Sequence, residues 1–374
     1  MFLTSALRAQ IDAGPSPDAW DAVRAWASAS WPTEAALAEV QEALSGWPPS
    51  SRWAGPTEWA VIASGGARPA WWPLVQSLRV DDDVSLQPVD SLASIVQLGF
   101  GPRAYGTDVS ALAALPRLRE LVMGGLDESA LARLPRLPQL ERLSVSADRL
   151  PDDLADRLPG LQALSLIGSA GLLSLPRLPR SLRSVALGGC GQLVDVSALA
   201  QCCELETLEL PGCDSLLDLS ALKALEQLRH LRLDARVSRS LRALTGLERL
   251  ESLWIDGGSA ALDLAPLAGH RTLRRLGLQD GSALQGLQAL ADLPALESLH
   301  VLRCGNVQLP PALGSAALRE LDLEGLPTLR HLPRLPSGTR LTLLRLVGLP
   351  QLVTAALPPA ERTVVQGCPR VTER

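Results

Sequence analysis

The chain has 374 residues, enough for two or three compact domains or for one elongated array of repeats. Its 35 Lys and Arg against 40 Asp and Glu give a net charge of −5 built from many charges of both signs. That excludes a basic stripe able to hold a phosphate backbone, and nucleic acid is not an expected partner. Arg replaces Lys almost everywhere (Lys223 is the single lysine) and Asn occurs once, at Asn306, a bias of GC-rich coding that points to a bacterial source. No run of about 18 apolar residues could span a bilayer, and MFLTSALRAQIDAGPSPDAW has no signal-peptide core, so a soluble cytoplasmic protein is expected.

Residues 1–72 are built differently from the rest. Eight of the nine tryptophans lie here: Trp20, Trp26, Trp31, Trp47, Trp53, Trp59, Trp71 and Trp72. In SPDAWDAVRAWASA, Ser16 is placed as an N-cap, Pro17 suits the first helical position, and Trp20, Val23 and Ala27 recur at helical spacing. The spacing predicts a second helix over 33–45, with Leu37, Val40 and Leu44 on one face. The region reads as a Trp-rich helical cap sealing the first unit of an array; the alternative is a docking module whose indoles meet a partner. Exposure of Trp20, Trp26 and Trp31 separates the two.

From residue 73 onward the chain repeats itself. LRELVMGGL begins at Leu118, LERLSVSAD at Leu140, LQALSLIGS at Leu161, LRSVALGGC at Leu182, LETLELPGC at Leu205 and LRHLRLDAR at Leu228. The series continues at Leu250, Leu273, Leu296, Leu318 and Leu341, with weaker copies at Val75 and Ile95 and a degenerate one over Glu361 to Cys368. About fourteen copies recur with a period of about 21 to 23 residues. The pattern resembles the leucine-rich repeat family, L-x-x-L-x-L-x-x-(N/C)-x-L, over residues 73–374. In Leu205-x-x-Leu208-x-Leu210, Leu208 and Leu210 face one way from a short strand, while Thr207, Glu209 and Pro211 face the other.

The resemblance implies an α/β solenoid: a leucine-rich repeat horseshoe with a parallel β-sheet on the concave face and short helical, 3-10 or extended segments on the convex face. At the inter-strand spacing, fourteen strands make a sheet about 60 Å long. After the ladder come Asp108, Asp195, Asp218 and Asp263 in D-[LV]-S-A-L-like runs, with Asp153 at the same register, each placed to accept N–H groups of a short turn. This resembles the short-helix repeats of phosphatase regulators and internalin-like proteins. The prolines of LPRLPQL (from Leu134), LPRLPRSL (from Leu175) and LPRLPSG (from Leu332) deny a helix there.

No converging chemistry is visible. A P-loop needs a lysine after its glycines, and Lys223 sits in SALKALEQ. His230, His270, His300 and His331 lack metal-ligand spacing; His230 and His300 stand about 15 Å apart at the inter-strand spacing, and His270 takes a position that is leucine in other copies. Cys190, Cys213, Cys304 and Cys368 share the slot that is Asn or Cys in the family, Cys202 falls on a core leucine position, and only Cys203 reads as exposed. Without C-x-x-C spacing these are small apolar residues, not zinc ligands. No catalytic residue, metal or cofactor is assigned.

Binding capacity is then sought on the outward strand positions. Early copies present Gly99, Val122, Ser144, Ser165 and Ala186; later ones present Glu209, Arg232, Trp254, Gly277, His300, Asp322 and Arg345. Flanking positions add His230, Asp234, Asp256, Arg275, Asp280, Arg303, Glu320 and Glu324. Trp254, the one tryptophan outside the first 72 residues, would anchor a protein interface with a polar rim; the alternative is a solubilising face with Arg232 or Arg275 covering the indole.

The leading expectation is a non-enzymatic scaffold or adaptor recognising a protein partner through the concave face. A second is a ligand-sensing partner of a nucleotide-switching receptor, as similar repeats suggest. A third is an effector of the leucine-rich-repeat ubiquitin-ligase type, which LPRLPRSLRSVALGGC resembles. That family keeps its catalytic cysteine in a separate helical domain; here the repeats run nearly to Arg374 and the first 72 residues hold no cysteine.

Overall fold

The computed structural model describes residues 4–30, 32–81, 86–101, 108–124, 128–234, 241–258, 261–354 and 356–371. The chain forms two compact units, Met1–Leu164 and Ser165–Arg374.

In the first unit, α1 (Ser5–Asp12), α2 (Pro17–Ser30) and α3 (Glu34–Ala43) precede α4 (Pro56–Ala63). As read from the sequence, the Ser16 hydroxyl accepts the Ala19 N–H at 3.1 Å, and Trp20, Val23 and Ala27 are fully buried. The 33–45 helix needs correction. Thr33 accepts the Ala36 N–H at 3.3 Å and so stands outside the helix as its cap, while Leu44 closes the other end. Ala36, Val40 and Leu44 are buried, and Leu37 lies half-buried at the margin.

Indoles fill the core beside these helices. Trp59 stacks on Trp72 with centroids 6.1 Å apart, and Trp20 meets Trp71 edge-on at 6.4 Å. Burial of an indole requires a hydrogen-bond acceptor for its N–H: Trp72 Nε1 donates to the Ser91 carbonyl at 2.6 Å and Trp20 Nε1 to the Trp53 carbonyl at 2.9 Å. Trp26 is half-buried, Trp53 is exposed, and Trp31 lies outside the described residues. The region expected to be helical also supplies a strand, Trp53–Ala54, which pairs in parallel with Ser77–Val80. Gln97–Phe100, Glu120–Met123 and Arg142–Val145 follow in parallel, each beside the last. The next strand, Ala163–Ile167, begins in this unit and ends in the second.

The second unit contains one strand per repeat: Ser184–Gly188, Thr207–Leu210, His230–Asp234, Ser252–Asp256, Arg275–Gln279, Ser298–Leu302, Glu320–Glu324, Leu341–Val347 and Ala360–Gln366. Each is parallel to its predecessor, as the leucine-rich repeat solenoid requires. Period-2 alternation decides which side is core. Leu205, Leu208 and Leu210 have no exposed surface, whereas Glu209 between them is exposed. Each buried leucine contributes about 1.5–3 kcal/mol, and each gains it only against neighbouring repeats.

The turns show why aspartate recurs. The Asp108, Asp195, Asp218 and Asp263 carboxylates accept the N–H two residues onward at 3.0, 2.7, 2.7 and 2.9 Å. Those backbone N–H groups hold the Asp108 and Asp218 carboxyls below the usual carboxylate range. Asp153 departs from this role. Its turn is a short α-helix, Leu154–Arg157, which brings Arg157 over it, and Asp153 accepts Arg157 Nε at 2.7 Å without capping. The proline segments starting at Leu134, Leu175 and Leu332 contain no helix. A second small parallel sheet, Ala261–Asp263 with Ala283–Gln285, was not expected.

Cys190, Cys202, Cys213, Cys304 and Cys368 are buried thiols and Cys203 is exposed. The shared slot has a physical reason. The thiols of Cys190, Cys213, Cys304 and Cys368 donate to the carbonyls of Leu166, Leu187, Leu278 and Leu346, the second strand leucine of the preceding repeat, at 3.8, 3.1, 3.7 and 3.5 Å. The contact with Cys190, followed by burial, pushes the Cys213 thiol far up; burial pushes Cys202 up to about 11. Neither is primed as a nucleophile at neutral pH. His270 is half-buried with Nε2 3.2 Å from the Leu247 carbonyl, and burial lowers its pKa.

A further periodicity runs along the residue just before each strand. Arg183, Glu206, Arg229, Glu251, Arg274, Glu297 and Arg319 alternate in sign from one repeat to the next. Arg183 pairs with Glu206 at 2.7 Å, Arg229 with Glu251, and Arg274 with Glu297 at 2.7 Å.

Candidate protein-binding face

The outward rows of the second unit are set by strand register. Ala186, Glu209, Arg232, Trp254, Gly277, His300, Asp322, Arg345 and Val364 lie side by side on consecutive strands. His230, Ser252, Arg275, Ser298 and Glu320 form the row before it; Asp234, Asp256, Gln279, Leu302 and Glu324 form the row after it.

Trp254 is held in one orientation. Its Nε1 donates to Asp256 Oδ1 at 3.0 Å, and the other Asp256 oxygen accepts Arg232 Nε at 2.7 Å. The benzo ring lies over Gly277: a Cβ there would stand 2.1 Å from Trp254 Cε3. Glycine at this register therefore lets the indole lie across the neighbouring strand. Beyond Gly277 the ring meets His300, with centroids 5.7 Å apart. Arg232 reaches Asp256, and His300 flanks the ring.

The contacts continue as a chain. His300 Nε2 is 2.7 Å from Ser298 Oγ, and its Nδ1 is 3.5 Å from Asp322. Arg345 donates to Asp322 at 2.9 Å and to Glu324 at 2.5 Å. Burial pushes the Asp322 carboxyl up, but hydrogen bonds and charge from His300 and Arg345 outweigh it, and the net shift is downward. Glu324 and Asp322 raise Arg345 in turn. Glu320 lies 3.1 Å from Ser298 Oγ.

Beside these rows, Asp280 and Arg303 pair through two contacts at 2.8 and 3.0 Å. The Arg303 hydrogen bond lowers Asp280, and Asp280 raises Arg303. Both sit at positive φ, 54° and 50°, where the corresponding positions of other repeats hold Gly168, Gly189, Gly212, Gly325 and Gly348. A side chain in that conformation costs about 1 kcal/mol or more. These two repeats keep paired charged side chains where those five keep glycine.

Of the residues picked from the sequence, Arg232, Trp254, Asp256, His300, Glu320, Asp322, Glu324 and Arg345 on the strands join this system, with Asp280 and Arg303 next to them. Glu209 is exposed beside Arg232, His230 and Asp234 are half-buried on the neighbouring strand, and Arg275 is exposed. Ser298 is not among the residues picked, and Gly277 is placed on the outward row without its role as the seat of the indole. Glycine at an outward strand position next to a tryptophan was the available signal for Gly277. Among the described residues, no three His, Cys, Asp or Glu side chains are grouped to hold a metal ion, and no helix is long and apolar enough to cross a membrane.

No protein-family model matches the chain. Over 87 residues it is 41% identical to the human volume-regulated anion channel subunit LRRC8E, a match covering 23% of this chain and 11% of that protein. An internalin from Listeria monocytogenes matches with a TM-score of 0.53 at 18% identity, covering 82% of this chain and 94% of the internalin. A chain of the Toll–Spätzle complex from Drosophila matches with a TM-score of 0.51 at 14% identity, covering 75% of this chain and 44% of that one. At these identities the structural matches speak to fold alone. With the repeated L-x-x-L-x-L strands and their buried leucines, they show that the chain has the leucine-rich-repeat fold.

Proposed function

We propose that the protein is a non-enzymatic recognition module that binds a protein partner through the outward strand rows of its second unit, and that residues 1–72 serve as a cap for the repeats. The carrying observation is Trp254: a large amphipathic ring on an open sheet face, oriented by Asp256 and seated on Gly277, amid charged residues already paired with one another. An oriented aromatic ring inside a polar rim has the composition of an interface anchor. Six cysteines, all free thiols, suit a reducing compartment, and together with the coding bias they support cytoplasmic action in a bacterium.

The test is capture from native lysate of a GC-rich bacterium, comparing the parent with Trp254→Ala/Arg232→Ala. Partner capture should be lost while the thermal transition stays in place. Equal capture by both proteins rejects the assignment of this face.

A further inference from the structure

Three arginines lie on the outward positions of the strands from Ser184–Gly188 to Leu341–Val347: Arg232, Arg275 and Arg345. Arg232 is bound to Asp256, and Arg345 to Asp322 and Glu324. Arg275 is exposed and, among the described residues, has no carboxylate partner. Register explains why. Its neighbours on the two adjoining strands are Ser252 and Ser298, and Ser298 Oγ is already engaged with His300 and Glu320. Arg275 also stands two residues before Gly277, on the same face of the strand the Trp254 indole covers. The carboxylates in contact with Trp254 and His300 are occupied, so the unanswered charge next to the indole is positive.

We infer that this face takes an acidic segment of its protein partner: an Asp or Glu carboxylate pairs with the Arg275 guanidinium while an adjacent apolar or aromatic side chain rests on the Trp254 indole. This rests on the proposed role of the outward rows and adds the chemistry of what they receive. A guanidinium binds a carboxylate through two parallel N–H donors, a stronger contact than a neutral hydrogen bond. The neighbouring ring supplies apolar area and excludes water from the pair. The paired arginines are poor alternatives, because a partner carboxylate would have to displace Asp256 or Asp322.

The experiment is selection of a phage-displayed random heptapeptide library on the immobilised full chain, on Arg275→Glu, on Arg275→Gln and on Trp254→Ala. Far-UV circular dichroism and melting curves verify that each variant is folded. The parent should enrich peptides with Asp or Glu next to an aromatic or aliphatic residue. Arg275→Gln should weaken them about tenfold, equivalent to about 1.4 kcal/mol, Arg275→Glu should shift enrichment toward Lys and Arg, and Trp254→Ala should remove the apolar preference. Peptides that depend on Trp254 but show no acidic preference, or keep their affinity in Arg275→Glu, overturn the inference and leave the binding face standing. Peptides insensitive to both positions, or no enrichment at all, overturn the inference and the face together.

Discussion

Tryptophan is used in opposite ways in the two units. In Met1–Leu164, Trp20, Trp59 and Trp72 have lost all or nearly all their exposed surface and join, through Trp71, in one chain of ring contacts. In Ser165–Arg374, Trp254 lies half-buried on the outward side of a strand, supported by a glycine on the next one. In the first case the rings pack against one another in the core beside the helices. In the second, the inward positions of the strand are already taken by Leu253 and Ile255, and the ring lies on the other side. The difference teaches that an indole's role follows from the side of the sheet it occupies, which register decides.

The comparison can be broken by mutation, and the effects should be graded. Trp72→Ala should cost about 3–5 kcal/mol in denaturant unfolding, the range for deleting a buried aromatic ring; a loss under about 1 kcal/mol would mean that the indole cluster is not a core. Gly277→Ala should come next. Its methyl overlaps the indole, so the ring must swing away, at about 1–3 kcal/mol, and the Trp254 indole N–H resonance should move as its bond to Asp256 breaks. Trp254→Ala should change stability by less than about 1 kcal/mol while altering binding, the reverse of Trp72→Ala.

The smallest effect contrasts the turns. Asp218→Ala should lower the melting temperature modestly, whereas Asp153→Ala, which removes only a surface pair with Arg157, should lower it less. The pH dependence has a defined sign. The folded-state carboxyl of Asp218 titrates below its unfolded value, so its contribution is present above the ordinary carboxylate range and lost as pH falls through the folded value. Melting curves of parent and Asp218→Ala should therefore converge in acid and separate near neutrality; a constant gap would show that the carboxylate is not the cap.

Much of the array was legible because leucine spacing carries both period and direction. Leu208, Glu209 and Leu210 are read without ambiguity, and the same phase aligns Arg232, Trp254, His300 and Asp322 on one row. The helices α1 and α4 were not legible, since SALRAQID and PTEWAVIA are short and lack a clear apolar stripe. The two-residue strand Trp53–Ala54 has too few residues to show alternation at all. Asp153 misled because one residue type at one register serves two turn geometries, and the choice depends on Arg157 four residues later. Within the face, the composition was visible and the pairing was not. Which carboxylate meets which arginine depends on contacts across 21 to 24 residues of chain, and the positive φ of Asp280 and Arg303 leaves no mark in the residue types themselves.

The alternating row Arg183, Glu206, Arg229, Glu251, Arg274, Glu297, Arg319 has a consequence for how such a molecule can lengthen or shorten. Neighbouring strands are about 4.8 Å apart, and like charges placed side by side at that distance repel. Deleting one repeat, or duplicating one, would set arginine against arginine or glutamate against glutamate at the junction. Deleting or duplicating two leaves the order of signs intact. The natural unit of gain and loss in this part of the chain is therefore a pair of repeats, a parity rule written in surface charge and independent of the leucines, which would accept any number.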